Sequence, residues 1–234
     1  MPTTFAGFQP EAIHFLLELG LNNDRAWFQP RKAEYERLLK EPLEALCVAL
    51  GERFEARGIP LRADVRSPFR IYRDVRFSKD KSPYKTHVSA SFPWAGEGAP
   101  AMPRSRTESV HHVGGYFHFE PDECYMGGGM WHPDRPRLEA WRALVAKDPK
   151  RVQAAITDRS FVKEFGEVGG DRLIRVPPGY SADDPNADLL KLKDVTFGRR
   201  VSDEEALSPK LADILADGFA RARPVFQLLA SLTS

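Results

Sequence analysis

The sequence predicts an α+β protein: a central antiparallel sheet with helices from both ends of the chain packed on one face. Three observations lead there. Apolar residues recur at helical spacing through the first quarter of the chain and again beyond Trp131. Between Ser67 and Trp131 the period falls to two. The alternating runs in that middle third are joined by short or irregular links with no helical crossover, which suits antiparallel pairing with one buried and one polar face.

The first helix is expected from Pro10, a good first-turn residue, through Ile13, Leu16 and Leu17 to a stop near Gly20 and the cap signals Asn22-Asn23-Asp24. Asn23 or Asp24 should cap the next stretch, which Trp27 and Phe28 anchor and Tyr35, Leu38 and Leu39 continue. Pro42 breaks it and opens a third, where Leu43, Leu46, Cys47, Leu50 and Phe54 share one face, so Cys47 reads as inert core. A strand is then expected over 69–77, with Ile71, Val75 and Phe77 inward and Arg70, Tyr72, Asp74 and Arg76 outward. Arg73 has the inward parity and needs a carboxylate or several carbonyls to meet it, or a bulge in the strand. Val88, Ala90, Phe92 and Trp94 alternate with His87, Ser89 and Ser91. After a Pro/Gly/Ser-rich loop over 95–107, Gly115, Phe117 and Phe119 alternate with Gly114, Tyr116, His118 and Glu120. A turn at Pro121-Asp122 leads into a short strand over 123–126, with Gly127-Gly128-Gly129 expected at its end. Helical spacing returns at Leu138, Trp141, Leu144 and Val145, and Asp148-Pro149 starts another helix. Two short strands are expected over 173–176 and 195–200, and Ser208-Pro209 opens a terminal helix kinked at Pro224. With no internal repeat and no convincing linker, residues 1–234 read as a single domain.

Composition excludes whole classes of protein. Hydrophobic residues at 42% and charged residues at 29% rule out collagen-like and wholly disordered chains. A formal net charge of +1 gives no global field for nucleic acid or a membrane surface. Two cysteines, Cys47 and Cys124, are too few for a disulfide scaffold or a four-cysteine zinc site. No basic n-region or membrane-length apolar run is found, so the expectation is a cytoplasmic protein with no membrane partner.

The charge is local. Segment 62–85 holds eight basic residues against three acidic ones, a surplus of five in a chain whose total is +1. Arg70 and Arg76 share the outward parity, and their planar forks suit phosphate or carboxylate. Lys79, Lys81 and Lys85 add charge, and Ser78, Ser82 and Thr86 add hydroxyl donors near a turn whose N–H groups could cradle an anion. Against this, Asp74 and Asp80 could neutralise the arginines in an internal ion-pair network.

Four motifs carry a resemblance: RIYRDVRFSKDKSPYKT over 70–86, NDRAWF over 23–28, GGGMW over 127–131 and VPPGY over 176–180. With these the chain resembles a widespread bacterial family of conserved hypothetical proteins, a domain of unknown function, over nearly its whole length. The resemblance implies one domain and brings no activity with it.

No motif fixes a chemistry. Gly127-Gly128-Gly129 lacks the lysine and hydroxyl ending of a P-loop and the spacing of a dinucleotide fold, so no cofactor is expected. His87, His112 and His118 share polar parity with Glu120, but they converge only if the register brings their strands together, and no metal is expected. Tyr72, Tyr84 and His87 are the candidates for proton transfer. Three readings stay open: a small anionic ligand, bound or turned over, on the polar face; a nucleic-acid module using segment 62–85; and an ion-paired scaffold for protein interaction.

Overall fold

The computed structural model describes residues 4–76, 78–99 and 112–232. Helix α1 (Pro10–Leu21) begins with Pro10 in its first turn and buries Phe15, Leu16 and Leu19. Asp24 caps α2 (Arg25–Phe28), its carboxylate accepting from the Trp27 N–H at 2.9 Å. The chain runs on through a 3₁₀ turn (Gln29–Arg31), α3 (Lys32–Tyr35) and a π turn (Glu36–Lys40) into α4 (Glu41–Ala56), where Pro42 sits in the first turn. All five residues of the expected stripe on α4, Cys47 included, are buried.

Of the expected aromatic anchor, only Phe28 is fully enclosed. Its ring is 1% exposed and stacks on Tyr84 with centroids 4.0 Å apart. Trp27 is half-buried, with the Arg31 guanidinium 4.6 Å above its ring.

Four strands form one antiparallel sheet in chain order: β1 (Val88–Pro93), β2 (Gly114–Phe119), β3 (Tyr125–Met130) and β4 (Val195–Arg200). The register pairs Ser89 with His118, Tyr116 with Gly127, and Gly129 with Thr196. Beyond β3 come α5 (Arg135–Lys147), α6 (Pro149–Ile156), α7 (Arg159–Phe165) and α8 (Ala187–Leu190), and after β4 come α9 (Asp203–Leu207), α10 (Leu211–Arg221) and α11 (Arg223–Ala230). The strands turn Phe92, Phe117, Met126 and Phe197 to the helices, and all are buried. Phe8 stacks over Phe119 at 4.3 Å, Phe219 meets Phe92 edge-on at 5.6 Å, and Phe226 lies 5.3 Å from Phe197. Close seating of α10 and α11 depends on Gly115 and Gly128, because a β-carbon there would stand 2.7 and 2.8 Å from the Phe219 and Phe226 rings.

Four expectations are corrected. Segment 69–76 is not a strand: it makes single bridges, Pro68 with Ala90 and Tyr72 with Tyr84, and folds back on residues 83–85 through Arg73 N–H to Pro83 O and Lys85 N–H to Ile71 O. Pro68 and Pro83 lack N–H donors, which interrupts any continuous ladder there; Phe77 lies outside the described residues. Segment 173–176 is irregular too, with Ile174 95% exposed, and only Arg172 bridges to Leu192. The triple glycine does not follow a strand but lies within β3. The terminal helix is broken, not kinked: α10 ends at Arg221 and Pro224 occupies the first turn of α11.

Candidate functional site on the polar face of the sheet

Alternation that sends phenylalanines to the helices sends Ser89, Ser91, Tyr116, His118 and Tyr125 to the opposite face. Gly114, Gly127, Gly129 and Gly198 share this face, so its centre carries no side chains. The sheet itself demands them: a β-carbon on Gly114, Gly127 or Gly129 would press on the carbonyl oxygens of Phe92, Phe197 and Val195 in the neighbouring strands, and Gly129 holds φ at +123°. Over this bare backbone lies a cavity of about 400 Å³, walled by Tyr116, Tyr125 and Trp131 and edged by Ser91, His112 and Thr196. Trp131 is 46% exposed, a large apolar surface facing solvent at the rim.

One step along β2 the same face becomes a dense polar cluster. The Tyr116 hydroxyl lies 3.1 Å from His118 Nδ1, and His118 Nε2 lies 3.0 Å from Glu120 Oε2. Thr86 donates its hydroxyl to the other Glu120 oxygen at 2.5 Å. His87 Nδ1 stands 3.8 Å from Glu120 Oε2, and its ring packs 4.2 Å from that of His118. Tyr125 stacks on the far side of His118 at 4.8 Å.

Burial and charge tune these groups. Burial, reinforced by His118, pushes the His87 imidazole down to about 4, so it is neutral at pH 7. Burial alone would raise Glu120, but the Thr86 and His118 hydrogen bonds outweigh it and hold the carboxyl below its ordinary range. Burial raises the Tyr116 phenol, against hydrogen bonds with Ser89 and Tyr125, and raises Tyr125 further.

The basic segment sits beside this face, at the β1 edge, and most of its charge is met locally. Arg76 reaches both oxygens of Asp74 at 3.0 and 2.7 Å, Arg73 pairs with Asp80, and Arg66 pairs with Asp64 at 3.2 Å. Arg73, which lies in no strand and so has no inward face, is met by Asp80 within the same fold-back. Ser82 gives its hydroxyl to Asp80 at 2.6 Å and Lys81 donates to the Val75 carbonyl at 3.0 Å, so neither points at a common anion. Ser78 is half-buried and Lys79 exposed on the same fold-back. Arg70 and Lys79 have no ion pair among the described residues.

Lys85 is placed differently. Its ammonium lies 5.2 Å over the Phe69 ring, and that ring is 6.4 Å from Tyr116 on the cavity wall. Burial, and then the charge of Arg70, lower its pKa. Of the proton-transfer candidates, Tyr72 is 44% exposed on the fold-back and Tyr84 is 1% exposed with its hydroxyl enclosed, whereas His87 joins the polar cluster. The register does bring two of the three histidines together; His112 lies at the cavity instead. Tyr125 and Thr196 were not singled out from the sequence, and the signal that could have found them is the pairing of β3 and β4 against a polar-parity β2.

Fold and face together define an α+β protein with one sheet face packed by helices and the other opened by glycines into an aromatic-walled cavity. The chain belongs to the family described as Conserved hypothetical protein (DUF2461), whose model matches residues 11–228. Neither the curated proteins nor the solved structures compared with it gave a match. Among the described residues no helix is long and apolar enough to cross a membrane.

Proposed function

We propose that the protein binds a small molecule with a planar ring on the polar face of its sheet, and that an acidic substituent of that ligand reaches toward Lys85 and Arg70. The observation that carries this reading is the glycine floor: with Gly114, Gly127, Gly129 and Gly198 contributing no side chains, a flat ring can lie on the backbone between Tyr116, Tyr125 and Trp131. Ser91, His112 and Thr196 are polar groups at the edge that can orient it. Lys85, one ring away from Tyr116, supports the acidic substituent. Local pairing of Arg66, Arg73 and Arg76 favours this placement over an anion cradle at 78–83 and over a nucleic-acid strip along 62–85.

The test is a thermal-shift panel of aromatic carboxylates, aromatic phosphates and their uncharged parents. A ring acid at about a hundred times its dissociation constant should stabilise the parent protein by roughly 2.7 kcal/mol. Thr196→Trp, which fills the cavity, should abolish the response, and Lys85→Ala should remove the preference for acids. An equal response in Thr196→Trp, or no stabilisation by any ring compound, rejects the reading.

A further inference from the structure

We propose that His87, His118 and Glu120 bind a divalent first-row transition-metal ion at the end of the polar face next to the cavity. One donor atom from each residue lies within 4.8 Å of the other two. His118 Nε2 and His87 Nδ1 approach the same carboxylate oxygen, Glu120 Oε2, at 3.0 and 3.8 Å. Bonds of about 2.0–2.2 Å to nitrogen and carboxylate oxygen place neighbouring ligand atoms a little over 3 Å apart, so these separations close on an ion with small side-chain rotations.

The topology produces the convergence. His118 in β2 and Glu120 just past its end share the polar parity, and the β1–β2 register ends with Val88 opposite Phe119, which brings His87, just before β1, to within 3.8 Å of Glu120. Each ligand also has an outer partner that aims it. The Tyr116 hydroxyl engages His118 Nδ1 and so turns Nε2 to the cluster, and the Thr86 hydroxyl holds Glu120 Oε1 and so leaves Oε2 inward. Metal-bound histidines and carboxylates are oriented in this way. Three ligands leave at least one coordination position open, as in sites where an ion meets water or substrate. Two imidazoles and one carboxylate suit zinc, iron or cobalt and give too few oxygens for calcium or magnesium. An ion takes the lone pair of His118 Nε2, so the single proton of the neutral imidazole sits on Nδ1, toward the Tyr116 oxygen 3.1 Å away.

The site stands on its own ligands and does not need the cavity to be occupied. Cobalt(II) added to metal-stripped protein should give visible absorption that saturates at one equivalent, and zinc(II) titrated calorimetrically should show the same stoichiometry. His87→Ala and Glu120→Gln, both at half-buried positions, should each weaken binding at least tenfold. His118→Ala should abolish it, with circular dichroism as the control for folding. Thr196→Trp should bind cobalt like the parent, which separates this site from the ring-binding cavity. No cobalt spectrum in the parent, or unchanged affinity in both His87→Ala and Glu120→Gln, overturns the proposal.

Discussion

The side-chain amide of Asn23 brackets the backbone of Tyr84: Oδ1 accepts from the Tyr84 N–H at 3.0 Å and Nδ2 donates to the Tyr84 carbonyl at 3.0 Å. Two segments 61 residues apart are joined by this pair, and it fixes where the fold-back carrying the basic residues meets the helices. Asn23→Ala should lower unfolding free energy by about 1–3 kcal/mol, because both partly buried backbone groups lose a partner. Asn23→Asp, which keeps only the acceptor, should fall between. Denaturant unfolding of the three proteins checks the order.

Phe28 and Trp27 should separate in the same assay. Phe28→Ala opens a cavity beneath the Tyr84 stack and should cost about 3–5 kcal/mol. Trp27→Ala removes a half-buried ring that touches Phe15 at 5.5 Å and should cost less than half as much. Equal costs would mean that the anchor is shared.

Arg76 should prove dispensable. Its side chain is 77% exposed, and its pair with Asp74 lies on the surface. Arg76→Ala should leave the melting midpoint unchanged and preserve the response to ring acids. The local effect is visible: hydrogen bonding to Arg76 holds the Asp74 carboxyl near 2, and in the variant it should move up toward the ordinary 3.8. Carbon-detected NMR titration of Asp74 measures this directly.

Arg199 should matter more. It lies on the apolar parity of β4, opposite Met126, where Glu164 of α7 at 2.7 Å and Glu205 of α9 at 3.0 Å neutralise it. Arg199→Leu strands Glu164, 13% exposed, with only the more exposed Arg221, and should cost about 1–3 kcal/mol. Burial would raise Glu205, but the Arg199 and Ser202 hydrogen bonds bring it below the ordinary 4.5. A carboxyl lowered in the folded state adds stability above its unfolded pKa and loses it as pH falls through the folded value. The parent should therefore lose stability more steeply below about pH 4.5 than Arg199→Leu, which chemical denaturation at a series of pH values will show.

The sequence made most of the fold legible where one face of an element is buried. The stripe from Leu43 to Phe54 and the alternation from Val88 to Phe119 each have a single way to hide their apolar side chains, and both form as the period demands. Alternation failed over 69–76, where Pro68 and Pro83 break the ladder and Arg73 is held by Asp80 rather than by a sheet neighbour. The site was half legible. Polar parity already grouped Tyr116, His118 and Glu120, but His87 joins them only through the β1–β2 register, a long-range pairing that local pattern does not encode. Charge density drew attention to Arg76 and Lys81, whose partners turn out to be Asp74 and the Val75 carbonyl. Glycines at 127 and 129 spoke for close backbone approach, and the cavity above them needed β2 and β4 in place to be seen.

The glycine floor is tested most directly by a crystallographic fragment screen of the full chain with flat ring compounds, with and without carboxylates. Density for rings should gather over Gly127 and Gly129, between Tyr116, Tyr125 and Trp131, with carboxylates pointing toward Lys85. Fragments that bind elsewhere while this face stays bare would contradict the account.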